Sequence, residues 1–303
     1  MSHSQKISSS EVAALTLNRR AFLKYASGVT IAAAASCCGA ARLLAVPTDA
    51  AQTLRLALAD GQQLVYHLRP AADAKGICYF VHGLGDAWSS FARVIDATVA
   101  LGYHAVYYDL PGFGENNAMT GDFERNCVVL NALIEQHSKG DLPNYAIGHS
   151  MGGLILLLTF AKHAPAAKFA KLMVVEASLT PSDAQFFAWV KEVGYQGLAD
   201  SVKTWTDAYA KTYAENIARA SADAFKIDVE QVSANFDAYR KLILDSGVPF
   251  VYVYGSKSSG VPEREQLAAY PQITMQRFEN AAHWVHVDAE AAFLEFLKTQ
   301  FFV

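Results

Sequence analysis

The sequence predicts an α/β protein: a mostly parallel, doubly wound sheet with helices on both faces and a helical cap inserted late in the chain. Three observations carry that expectation. The run Ile77-Cys78-Tyr79-Phe80-Val81 is apolar at every position, as a strand covered on both faces of a parallel sheet must be. Short apolar runs of this kind then alternate with stretches of helical periodicity. The interval 178–247 carries no strand pattern, reads as several helices and far exceeds an ordinary connection.

The elements follow in order. Leu54 to Leu58 and Leu64 to Leu68 flank Asp60-Gly61, a pair that favours a tight turn with positive φ, so they read as a hairpin. After the buried run at 77–81, strands are expected at Ala105 to Tyr108, Tyr145 to Ile147, Leu172 to Val175, Phe250 to Tyr254 and Ile273 to Phe278. Helices are expected at Trp88 to Leu101, Phe123 to His137, Met151 to His163 and Ala289 to Phe301. This divides the chain into an N-terminal segment (1–50), a core domain (51–177 and 248–303) and the cap (178–247). The cap is rich in aromatics, among them Phe186, Phe187, Trp189, Trp205, Tyr209, Tyr213, Phe225, Phe236 and Tyr239. Most should pack the cap onto the body, with a minority lining an apolar pocket.

Composition narrows the function classes. At 52% hydrophobic and 18% charged, the chain is neither disordered nor fibrous. A net charge of −4, with no basic cluster outside the N-terminus, argues against a nucleic-acid partner. That N-terminus reads Asn18-Arg19-Arg20-Ala21-Phe22-Leu23-Lys24, followed by an Ala-rich apolar stretch to Val46 and then small residues. It resembles a twin-arginine export signal, which implies the twin-arginine export machinery as a partner and a periplasmic address. A membrane anchor through residues 25–46 is the alternative, weakened by Gly28, Gly39 and Arg42. Cys37 and Cys38 fall in this segment; Cys78 and Cys127 lie in a strand and a helix pattern, where buried free thiols are the commoner outcome. No CxxC or His-rich spacing suggests a metal, and no cofactor is expected.

Chemistry concentrates at Gly148-His149-Ser150-Met151-Gly152. This GxSxG follows the apolar run ending at Ile147 and opens an apolar helix, which is the context of a nucleophile elbow. A serine on so sharp a turn is held with its hydroxyl exposed, and side chains at the flanking glycines would collide with neighbouring backbone. The following helix aims its N-terminal dipole at negative charge developing near Ser150.

Together with three further stretches, this motif resembles the α/β-hydrolase superfamily from residue 53 to the end. His82-Gly83-Leu84-Gly85 matches the family's HG loop, Asp109-Leu110-Pro111-Gly112-Phe113-Gly114 its DxPGxG turn, and Ala282-His283-Trp284-Val285-His286 its histidine loop. The resemblance implies an oxyanion hole built from the backbone N–H groups of Leu84 and Met151. It implies His283 as the base, in the chain order serine, acid, histidine. His286 should pack, His149 and His163 should be elbow and helix-end residues, and His82 and Asp109 should hold loops. The family's usual Asp after the strand ending at Tyr254 is absent, for Ser258 stands there in Gly255-Ser256-Lys257-Ser258-Ser259. Glu176, at the end of the preceding strand, is the substitute acid; the alternative is that Glu176 only caps the strand or pairs with a basic residue, and that Asp183 or another cap residue serves.

Serine at the elbow excludes chemistry that needs a carboxylate nucleophile, so an acyl-enzyme is expected. The first expectation is hydrolysis of a carboxylic ester of a small or medium apolar substrate. Cleavage of a C–C bond, lactone or amide, or acyl transfer, uses the same constellation. A non-catalytic binding protein on this scaffold is the remaining class, supported only by the displaced acid.

Overall fold

Eight strands form one sheet in a computed structural model that describes residues 50–138, 140–163, 169–205 and 208–303. They are β1 (Gln52–Ala57), β2 (Gln63–Arg69), β3 (Ile77–Val81), β4 (His104–Tyr107), β5 (Asn144–His149), β6 (Phe169–Val175), β7 (Phe250–Gly255) and β8 (Ile273–Phe278). Their order across the sheet is β1-β2-β4-β3-β5-β6-β7-β8. β2 runs antiparallel to β4, and every pairing from β4 through β8 is parallel. Every position of β3 and β5 is buried, as expected of strands covered on both faces. The export and anchor readings, with Arg19, Arg20, Cys37, Cys38 and residues 25–46, lie outside the described residues.

Residues 50–56 and 64–303 belong to one compact unit. The described residues of the other unit, 57–63, form the anticipated turn: Gly61 has φ of 83°, and Leu58 N donates to Gln62 O at 2.8 Å.

The helices are α1 (Ala92–Ala100), α2 (Phe123–His137), α3 (Met151–His163), α4 (Pro181–Val202), α5 (Ala210–Ile217), α6 (Ala222–Asp245), α7 (Val261–Glu265), α8 (Val285–Asp288) and α9 (Glu290–Phe296). Every residue of α3 from Met151 to Phe160 is buried. Leu154, Leu156, Leu157 and Leu158 are each at most 1% exposed, and burying such a side chain stabilises by about 1.5–3 kcal/mol. Local signals set the ends of other helices. The Asp122 carboxylate accepts from Arg125 N at 2.8 Å to start α2, and Ser221 caps α6. Thr180 and Asp183 form a capping box at α4, with Pro181 opening the helix. Gly194, at φ 71°, breaks α4 in the middle.

Two expected helices are subdivided. Trp88 to Leu101 begins as a 3-10 turn (Trp88–Phe91) before α1, with Trp88 N donating to Asp109 at 2.7 Å. The expected helix from Ala289 to Phe301 is α9 followed by a π-helical turn, Leu297–Phe301. The interval between β6 and β7 contributes α4, α5 and α6, and most of its aromatics pack: Phe187, Tyr209, Tyr213, Phe225, Phe236 and Tyr239 are buried. Cys78 and Cys127 are free and buried, and burial pushes both thiols up, that of Cys127 to about 12.

Candidate active site

The turn from β5 into α3 is too tight for side chains at its glycines. A Cβ on Gly148 would lie 2.7 Å from Gly152 O, and one on Gly152 would lie 2.3 Å from the carbonyls of both Val81 and His82. Between them Ser150 sits at φ 53°, a left-handed conformation that non-glycine residues rarely adopt. The next strand holds it there, since Ser150 N donates to Val175 O at 2.9 Å. Gly83 leaves room in front: a Cβ there would come 3.1 Å from the Ser150 Cβ.

Ser150 opens onto a cavity of about 490 Å³. The HG loop (Gly83, Leu84), the 282–284 loop with His283, and Phe186, Trp205 and Tyr213 from the segment between β6 and β7 surround it. Met151, directly after Ser150, is the buried first residue of α3. The HG loop is fixed from two sides. Tyr213 donates its hydroxyl to Leu84 O at 2.8 Å, and buried His82 accepts from Leu110 N through Nε2 at 2.9 Å. Asp109 accepts from Trp88 N at 2.7 Å and from Glu115 N at 2.8 Å, so His82 and Asp109 hold loops, as expected.

His283 lies between β8 and α8, with its side chain 37% exposed. His149 donates from Nε2 to the His283 carbonyl at 3.0 Å, and a carbonyl can only accept, which fixes that tautomer. Burial, reinforced by the neighbouring histidines 283 and 286, holds the His149 pKa well below its usual value, so the ring is neutral. His286 packs: its ring stacks 4.7 Å from that of Phe91, and burial drives its pKa down to about 3. His163 ends α3, away from the cavity lining.

Glu176 follows β6 at φ 50°, wholly buried, with its N–H donating to Val253 O at 2.8 Å. Its Oε2 lies 3.9 Å from His283 Nδ1, an ion-pair distance about 1 Å beyond a hydrogen bond. Three groups hold the carboxylate. Gly255 N and the Ser258 hydroxyl donate to Oε1 at 2.7 and 2.6 Å, and Arg264 Nε donates to Oε2 at 2.8 Å. Burial alone would raise the pKa of Glu176, but the imidazole of His283, the guanidinium of Arg264 and the Ser258 hydroxyl together bring it below its usual value. The serine that replaces the family's usual acid is thus a donor to the carboxylate arriving from the adjacent strand.

Asp183, the alternative acid, is engaged elsewhere: it accepts from Thr180 Oγ1 at 2.7 Å and from Arg264 Nη2 at 3.1 Å. Arg264, 1% exposed on α7, is a site residue that sequence reasoning missed. Its signal was indirect, for only once Glu176 and Asp183 are buried do their carboxylates require a cation between them.

Sheet, elbow and histidine loop together define an α/β-hydrolase. A sequence profile described as "Alpha/beta hydrolase family" matches residues 78–296, and the chain belongs to that family of hydrolases. It is 30% identical over 115 residues to a 2-hydroxy-6-oxononadienedioate/2-hydroxy-6-oxononatrienedioate hydrolase of Klebsiella pneumoniae subsp. pneumoniae, covering 35% of this chain and 39% of that protein. To Phospholipase YtpA of Bacillus subtilis it is 32% identical over 92 residues, 29% of this chain and 34% of that one. The matched stretch therefore spans well under half the length of either relative. Among solved structures, an esterase from Exiguobacterium antarcticum superposes with a TM-score of 0.68 at 17% identity, over 81% of this chain and 98% of that one. A thermophilic esterase from Thermogutta terrifontis gives 0.65 at 16% identity, over 82% and 98%. At such identities the likeness is one of fold.

Proposed function

We propose that the protein is a serine hydrolase that cleaves a carboxylic ester of a small or medium apolar substrate through an acyl-enzyme. The observation that carries this reading is Ser150, held at positive φ on the cavity wall with His283 lining the same cavity and Glu176 behind the imidazole. With Nδ1 facing Glu176, Nε2 of His283 is the nitrogen left for Ser150. Nε2 takes the hydroxyl proton as Oγ attacks the ester carbonyl carbon, and the C=O pair moves onto oxygen. The N–H groups of Leu84 and Met151 receive that oxyanion, a donor pair worth about a hundredfold or more per member in rate. Collapse expels the alcohol, which takes the proton from Nε2, and water repeats the sequence on the acyl-enzyme to release acid and free Ser150. Glu176 acts as the triad acid: the ring must move about 1 Å for a hydrogen bond, within the tightening that substrate binding commonly brings.

The cavity volume and its wall of Phe186, Trp205, Tyr213 and Trp284 favour an apolar substrate of modest size, with the segment between β6 and β7 acting as a cap that excludes water. A scan of ester chain length tests this. Hydrolysis with an optimum at short to medium acyl chains is expected, and no turnover of any ester would sink the proposal. The Klebsiella relative favours a second reading, hydrolysis of a hydroxy-oxo-dioate of the kind in its name. Faster turnover of such a compound than of any ester would establish it. Arg19 and Arg20 support export by the twin-arginine route to the periplasm.

A further inference from the structure

Asp86 lies two residues beyond Leu84, is 2% exposed and lines the cavity. Its Oδ1 is fully engaged, accepting from Ala87 N at 2.9 Å, Tyr209 hydroxyl at 3.0 Å and Asn216 Nδ2 at 2.8 Å. Among the described residues, its Oδ2 is buried and has no hydrogen-bond partner. Trp284, the residue after His283, is also 2% exposed and lines the cavity, and its indole Nε1–H is likewise buried without a partner among the described residues. Tyr209 links the two, with its hydroxyl on Asp86 and its ring 5.4 Å from that of Trp284. The rings of Tyr213 and Trp205, 5.0 and 6.3 Å from the indole, complete an apolar frame.

Leaving a buried donor or acceptor unmet costs about 1–3 kcal/mol, so two such atoms, on residues that line one cavity and are joined through Tyr209, call for a partner. We propose that Asp86 Oδ2 and Trp284 Nε1 form a recognition point for a substrate hydroxyl, which donates to the carboxylate oxygen and accepts from the indole. This rests on the reading of Ser150 as nucleophile and narrows its substrate to a hydroxylated ester. An ammonium group would satisfy the carboxylate but not the N–H, and a substrate carboxylate would meet the N–H but oppose Asp86. A hydroxyl answers both. Burial raises the pKa of Asp86 despite the opposing influence of His82 and its hydrogen-bond donors. With Oδ1 already accepting three bonds, a proton on this carboxyl resides on Oδ2, and a hydroxyl accepts from that form equally well. The Cα atoms of Leu84 and Asp86 are separated by at most about 7 Å, so the proposed hydroxyl contact and the oxyanion donor belong to the same short loop.

The test compares kcat/KM for ethyl hexanoate, ethyl β-hydroxyhexanoate and β-hydroxyethyl hexanoate, so that a hydroxyl on the acyl side is told from one on the alcohol side. One hydroxylated ester should be preferred over ethyl hexanoate by about tenfold or more. Trp284→Phe, which keeps a ring but removes the donor, and Asp86→Asn, which replaces the acceptor by a donor, should each lower that ratio at least about threefold. Ratios within about twofold of one in the wild type, or unchanged in both variants, would overturn the inference. A calorimetric comparison of hexanamide with β-hydroxyhexanamide binding to Ser150→Ala reads the same recognition without turnover. Tighter binding of the hydroxylated amide supports it, and equal affinity overturns it even if no ester is cleaved.

Discussion

Replacing Glu176 by glutamine preserves shape while removing the charge behind His283. Turnover should fall by about ten-thousandfold, the scale on which a serine hydrolase suffers when its acid becomes an amide and the imidazolium loses its counter-charge. Stability should fall too. Glutamine leaves Arg264 with the Asp183 carboxylate at 3.1 Å and the Thr180 hydroxyl, and breaking a buried ion pair costs about 3–5 kcal/mol, here toward the lower end because one carboxylate partner survives. Ser258→Ala removes only the 2.6 Å donor to Oε1, while Gly255 N and Arg264 still hold the carboxylate. A hydrogen bond to a charged group contributes about 1.5–3 kcal/mol, so even full expression in the barrier would cost at most about a hundredfold in rate. Asp183→Asn should cost less than about tenfold, since its carboxylate meets Arg264 and the α4 cap and not the imidazole. The assay is kcat on a chromogenic ester, with melting curves to confirm that each variant is folded at the assay temperature. Equal losses in Glu176→Gln and Ser258→Ala, or the largest loss in Asp183→Asn, would refute this account of the acid.

Three shorter predictions follow from other parts of the molecule. Gly152→Ala should abolish activity or soluble expression, because its methyl would lie 2.3 Å from two backbone carbonyls; near wild-type activity would show that the elbow can relax. The depressed pKa of Glu176 contributes stability that is present above the ordinary carboxylate value of 4.5 and lost as pH falls through the folded value. The melting temperature should therefore drop on acidification below about 4.5, and less steeply in Glu176→Gln; identical slopes would contradict the assignment. Changing Arg19 and Arg20 to lysine should retain the protein in the cytoplasm, as fractionation would reveal, and unchanged export would dispose of the twin-arginine reading.

Much of the fold was legible because the parallel strands are covered on both faces and therefore write themselves as unbroken apolar runs. β3, β8, α2 and α3 fall where periodicity puts them. The C-terminal helix also lies where it is expected, at 290–301, but the π-helical form of its last turn, Leu297–Phe301, leaves no mark in the periodicity. Ser150 was visible from the glycines around it, because sterics at a tight turn are a local matter. Glu176 emerged from a missing residue, the Asp that Ser258 replaces. Arg264, Asp86 and the donors that hold them were invisible: their partners lie on other strands or across the cavity, and no local spacing encodes contacts at such sequence separations.

The most direct test is covalent labelling with a fluorophosphonate probe, read by intact mass and peptide mapping. Stoichiometric modification of Ser150 and no labelling of Ser150→Ala are expected. A folded protein that stays unmodified, or a Ser150→Ala variant that labels as readily as the wild type, would contradict Ser150 as the nucleophile.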